Sequence, residues 1–101
     1  MYTSQCDLTL KDGEVIPRGT TFAVTWNRYP STGNIVQIRN VTLTMSGKSV
    51  GKLISGEMPT MDQIEAWVCD SVCDTPSGET VEPDGHSHYG EPSWLLLLGL
   101  I

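Results

Sequence analysis

At 101 residues the chain has the size of one domain, and its 39% apolar content suffices for a modest core and excludes disorder along the whole length. A net charge of −6 disfavours long-range attraction to nucleic acid, and the longest apolar run, Trp94 to Leu98, falls far short of the about 20 residues that span a bilayer. Three cysteines form no visible disulfide framework, and Met1 to Leu10 lacks the apolar core of a signal peptide, so a reduced, cytoplasmic setting is expected.

Tyr2 to Leu10 alternates: Tyr2, Cys6, Leu8 and Leu10 share one face, and Thr3, Gln5, Asp7 and Thr9 the other. That pattern predicts a strand with one buried side. Lys11-Asp12-Gly13-Glu14 reads as a turn, and Val15 to Gly19 as a short extended piece in which Pro17 bars a central strand position. Thr20 to Asn27 is a second strand, with Thr20, Phe22, Val24 and Trp26 on one face. After the turn formers of Arg28 to Asn34, strand signal runs from Ile35 to Ser46. Its phase reverses inside that run, because Val36 and Ile38 match one phase and Val41, Leu43 and Met45 the other. A bulge or corner at Arg39-Asn40 is expected. Gly47-Lys48-Ser49 then reads as a turn and Val50 to Ile54 as a short strand weakened by Gly51. The Gly-Lys-Ser triplet echoes a phosphate-binding loop. That reading fails because Thr42 stands where the first Gly belongs, and because no helix is expected to follow.

The strongest helix signal is Pro59 to Cys73. Thr60 and Gln63 form a capping box, and Ile64, Val68 and Val72, flanked by Met61 and Trp67, make one apolar stripe. Residues 74–92 are rich in Pro, Gly and acids and read as a long loop, with a short extended piece at Glu79 to Glu82. In the apolar tail, 93–101, Ser93 can cap one helical turn and Gly99 can end it. The expected fold is a single α+β domain over 1–101: β-rich over 2–56, a helix at 59–73, an acidic loop at 74–92 and the tail. Its four to five strands form a small antiparallel sheet, or a barrel of SH3-like or OB-like type, with one amphipathic helix.

Charge divides at that helix. Residues 1–56 hold all six basic residues and three acids, whereas 57–101 hold nine acids and no Lys or Arg. Either the halves neutralise each other in the fold, or the acidic half faces solvent or a basic partner. Asp62, Glu65, Asp70, Asp74, Glu82 and Asp84 are therefore the candidate partner-binding face, able to imitate the phosphate spacing of nucleic acid and occupy a basic groove. The apolar tail, represented by Trp94, Leu95, Leu98 and Leu100, would dock on the chain's own sheet, on a second copy, or in a membrane. The acids nearby disfavour the membrane.

Cys69, Cys73, His86 and His88 offer two sulfurs and two nitrogens, the donor set of tetrahedral zinc. Their spacing is poor, however, and no metal or other cofactor is expected. No nucleophile–base arrangement is legible, so an enzyme is not expected. Arg18, Arg28, Arg39, Lys48 and Lys52, with Trp26 and Tyr29, are the residues through which a β-barrel would bind nucleic acid.

The ending Pro83-Asp84-Gly85, then Gly90, then Pro92-Ser93-Trp94-Leu95-Leu96-Leu97-Leu98-Gly99-Leu100-Ile101 resembles that of small accessory proteins of tailed bacteriophages and prophages. The resemblance implies a phage-encoded, non-enzymatic protein in the bacterial cytoplasm and transfers no catalytic residues. It further implies binding to a host or phage protein, one that handles nucleic acid for instance, as an anti-defence or host-takeover inhibitor. The alternatives are a small phage structural or assembly subunit and a nucleic-acid-binding β-barrel.

Overall fold

The computed structural model describes all 101 residues of the chain. Its centre is an antiparallel sheet of β1 (Tyr2–Thr3), β4 (Thr21–Thr25), β5 (Asn34–Ile38) and β6 (Val41–Met45), in the order β1-β4-β5-β6. Period-two alternation turns Phe22, Val36 and Ile38 to one face, where all three are buried, while Ile35 and Gln37 face outward. Register supports that face: Phe22 lies opposite both Tyr2 and Ile38, and Val36 lies opposite Val24 and Leu43. The sheet stays open, with β1 and β6 as its edges. The α+β antiparallel alternative therefore holds, and no closed barrel forms.

The alternation read over Tyr2 to Leu10 survives in burial, but its pairing is divided. Tyr2–Thr3 joins the main sheet, whereas β2 (Leu8–Thr9) pairs with β3 (Val15–Ile16) in a separate hairpin closed at Gly13. Between them the chain turns aside, and Gln5 N–H donates to Leu53 O at 2.9 Å. The phase reversal near Arg39-Asn40 proves to be a two-residue hairpin rather than a bulge or corner. Ile38 pairs with Val41, and Arg39 takes a positive φ of 53°.

One element departs from expectation. Residues expected as a turn and a weak strand form helix α1 (Gly47–Ser55). Ser46 caps it by accepting from Ser49 N–H, and Gly56, in the left-handed region, ends it by donating to Lys52 O at 2.7 Å. Val50, Leu53 and Ile54 then share the face that packs on the sheet and closes the first core with Ile16, Phe22, Val36 and Ile38. Gly47 and Gly51 do not break this helix, since their lack of side chains lets other segments approach. A Cβ at Gly51 would lie 2.5 Å from Trp94 Cη2, and one at Gly47 would lie 2.8 Å from Pro30 O. The Gly-Lys-Ser triplet therefore does precede helix, but the missing first Gly still leaves it without a phosphate-binding loop.

Helix α2 (Met61–Asp70) begins as expected, with Thr60 Oγ1 accepting from Gln63 N–H at 3.2 Å. It ends earlier than expected, at Ser71, whose φ is 58°. Val72 and Cys73 thus leave the helix. Only part of the expected stripe packs: Trp67 is buried and Ile64 half-buried, whereas Met61, Val68 and Val72 are 69%, 60% and 41% exposed. Trp67 carries the largest apolar surface on the helix, so its burial sets the helix's orientation.

Residues 74–92 are more ordered than a bare loop. β7 (Cys73–Asp74) pairs with β8 (Thr80–Val81), and His86 bridges to Pro92. α3 (Trp94–Leu97) follows its Ser93 cap. Trp94, Leu95 and Leu97 join Trp67 and Cys73 in a second core, so this part of the tail docks within its own chain, against α1 and β7 rather than on the sheet. Leu98 is half-buried, and Leu100 and Ile101 stay exposed. Trp26, at the end of β4, packs against both cores. No helix is long and apolar enough to cross a membrane.

Candidate functional site

The expected acidic face is solvent-facing. Asp62, Glu65 and Asp70 lie on α2 and all three are exposed, as are Glu82 and Asp84 in the turn closed by Gly85 N–H to Glu82 O. Asp74 is half-buried on β7 and accepts from Thr80 Oγ1 at 3.2 Å. None of these six carboxylates meets a cation. The ion pairs are Arg39–Glu14 at 3.5 Å, inside the basic half, and His88–Glu79 at 3.9 Å, inside the acidic half. The two halves of the chain therefore form no salt bridge with each other.

The four zinc-type donors are not assembled. Cys69 is exposed on the last turn of α2. Cys73 is buried on β7, and its Sγ donates to Asp74 O at 3.3 Å. Because α2 ends between them, the two cysteines do not share a helical face. His88 stacks on Tyr89 and pairs with Glu79, and no three His, Cys, Asp or Glu side chains gather as a metal site. Burial pushes the Cys73 thiol up, which suits a packing residue rather than a thiolate ligand.

Two of the cations considered for nucleic acid, and one of the rings, are engaged within the chain. Arg39 is paired with Glu14, Arg28 lies 5.5 Å over the Tyr29 ring, and Trp26 is wedged between the two cores.

A feature the sequence reading passed over lies where the sheet meets the acidic segment. A cavity of about 700 Å³ opens between Tyr2, Ala23, Val24 and Trp26 on one side and Ser77, Glu79, Ser87, Tyr89 and Glu91 on the other. Strands β1 and β4 fix the first wall. Tyr2 stacks on Phe22 at 5.5 Å and meets Trp26 edge-on at 6.2 Å and 84°, so two aromatic planes stand nearly perpendicular. The second wall is held by Glu91, only 2% exposed, whose carboxylate accepts from Ser77 N–H at 2.8 Å and Ser77 Oγ at 2.7 Å. Ser87 Oγ accepts from Glu91 N–H at 3.1 Å and from Tyr89 N–H at 3.2 Å. Met1 also lines the cavity, and no Lys, Arg or His side chain does. Burial, reinforced by the facing Glu91 carboxylate, raises the Tyr2 phenol well above its ordinary value and keeps it protonated.

Glu91 counts in the sequence as one more acid of a soluble loop. The signal against that reading is its place between Gly90 and Pro92, directly before the most apolar run of the chain. No protein-family model, curated protein or solved structure matches this chain.

Proposed function

We propose that the chain is a non-enzymatic binding protein that engages a basic surface on another protein through its acidic C-terminal half. The observation that carries this reading is the absence of any salt bridge between the nine acids of residues 57–101 and the six basic residues of residues 1–56. Exposed carboxylates without local counter-cations create a field of one sign, which accelerates encounter with a positively charged partner. The Pro83 to Ile101 ending supports a phage-encoded accessory protein acting in the bacterial cytoplasm. A nucleic-acid-handling host protein, countered as an anti-defence or takeover target, suits a carboxylate array that imitates phosphates. Exposure of Leu100 and Ile101 favours a second reading, a phage assembly subunit that buries this end against its neighbours.

The test is capture from bacterial lysate, identification of the partner, and titration of the purified pair at about 0.1 M and about 1 M salt, where the screening length falls from about 10 Å to about 3 Å. Affinity should fall steeply with salt and with the combined change Asp62→Asn, Glu65→Gln, Asp70→Asn and Asp74→Asn. A purified pair whose affinity ignores both changes removes the acidic-face reading.

A further inference from the structure

We propose that the cavity between Tyr2, Trp26 and Tyr89, backed by Glu91, binds an alkylated ammonium cation, carried either by a small quaternary amine or by a methylated lysine of a partner. This site is separate from the exposed face of α2 and does not rest on the partner reading.

Three observations converge on that ligand. Glu91 is a buried carboxylate with no counter-cation within salt-bridge distance, and no basic side chain lines the cavity it faces. A carboxylate so placed adds negative potential to the cavity, and no side-chain cation lies close enough to pair with it. The other walls are aromatic: Tyr2 and Trp26 stand at 84° to each other, and Tyr89, 80% exposed, stands at the rim. Ring faces are negative, so they attract the same sign of charge as Glu91 does.

The chemistry of the carboxylate narrows the class. Both Glu91 oxygens already accept from Ser77, at 2.8 and 2.7 Å. What no side chain supplies is a charge partner, and an alkylated ammonium supplies charge without bringing donors that the aromatic walls cannot satisfy. A metal ion would need several free oxygen ligands, which are not gathered here. A primary ammonium would lose strong hydration against aromatic walls that cannot replace it, whereas a methylated ammonium loses little. Glu79, also on the wall, is paired with His88 and adds little to this potential.

The test is a titration of the intact ¹⁵N-labelled chain, followed at the Trp26 indole N–H, which Trp26→Phe identifies. The probes are choline, its neutral carbon isostere 3,3-dimethylbutan-1-ol, arginine amide, and a short peptide with one trimethyllysine. Choline or the trimethyllysine peptide should shift Trp26 saturably while leaving the Trp67 indole still, and the tighter of the two identifies the source. The neutral isostere should not bind. Tyr89→Ala, at an exposed position that does not endanger folding, should weaken binding about two- to fivefold, as loss of one ring contact predicts. Glu91→Gln should weaken it at least about tenfold, through loss of a buried charge close to the ligand. Asp62→Asn with Glu65→Gln should leave it unchanged. The proposal is overturned if neither methylated probe gives a saturable shift up to about 50 mM. It is equally overturned if the neutral isostere or arginine amide binds as tightly.

Discussion

Replacing Gly51 by Ala should destabilise the protein, against the usual preference of a helix interior for Ala. In an exposed helix the exchange gains about 1 kcal/mol. Here the added Cβ would lie 2.5 Å from Trp94 Cη2 and 3.3 Å from Cε3, where ordinary contact begins near 3.4 Å. The ring would have to retreat by about 1 Å, but it is buried in a packed core, where overpacking costs about 1–3 kcal/mol. Taking the upper part of that range, the net loss is about 1–2 kcal/mol, or about 5–15 °C in Tm for a domain of this size. The assay is urea unfolding followed by far-UV circular dichroism, with an unchanged m-value as the sign that the two-state ensembles are comparable. A double-mutant cycle sharpens it. Phe at position 94 lacks the outer ring atoms that meet the new methyl, so Gly51→Ala should become neutral or stabilising in a Trp94→Phe background. Gly47→Ala should show no such rescue, because its new Cβ would meet backbone, Pro30 O at 2.8 Å and Leu97 Cα at 2.9 Å. A Gly51→Ala variant more stable than the parent, or one equally damaged in both backgrounds, would refute the close approach of α1 and α3.

Two further outcomes follow from burial. With iodoacetamide under native conditions, Cys69 should be alkylated readily and Cys73 only after unfolding, as peptide mass spectrometry would read; equal native labelling would contradict the end of α2 before Cys73. Tyr2 holds its proton more tightly folded than unfolded, so its contribution to stability is complete below the unfolded tyrosine value of about 10 and is lost as pH rises beyond it. The urea midpoint of the parent should therefore fall more steeply above about pH 10 than that of Tyr2→Phe. Parallel declines would mean that burial of Tyr2 beside Glu91 does not hold its proton.

The residues that alternate cleanly were legible: Phe22, Val24, Val36 and Ile38 take the strand faces their spacing predicts, and Thr60 caps its helix through Gln63. The α1 helix was hidden by its two glycines, which read as breakers when propensity alone is weighed. Its cap, Ser46 with Ser49, and the i, i+3, i+4 spacing of Val50, Leu53 and Ile54 were present in the sequence all along. What sequence could not supply was the partner that makes Gly useful there, since Trp94 lies 43 positions away along the chain. The same limit applies to the site. The exposed carboxylates on α2 follow from periodicity, whereas the cavity depends on contacts between residues 2, 26 and 77–91, which local pattern cannot bring together. The stripe Ile64, Val68 and Val72 misled for a related reason: periodicity marks apolar faces, but the burial of Trp67 decided which way the helix turned.

Glu91 has a structural task, and that task alone does not account for its charge. Its carboxylate ties the turn after β7, through Ser77, to the segment that leads into α3. Neutral residues make comparable ties elsewhere in the molecule. Asn34 is buried, accepts from Asn27 N–H at 3.0 Å and donates to Pro30 O at 2.7 Å; Ser93 accepts from Leu96 N–H and donates to Pro83 O. Each satisfies buried backbone without bringing an ion out of water, a step that costs several kcal/mol per charge, on the order of magnitude of a whole domain's stability. A glutamine could accept from Ser77 N–H and exchange a hydrogen bond with its hydroxyl at lower electrostatic cost. The carboxylate is thus a more costly solution to a problem this chain solves cheaply at Asn34 and Ser93. The added charge has a physical return only where something positive reaches it. An approach lined by no Lys, Arg or His is the aromatic cavity at the junction of the two cores, where Trp26 touches both. A cation held there would contact the basic and acidic halves at once, and its binding energy would add to the stability of their junction.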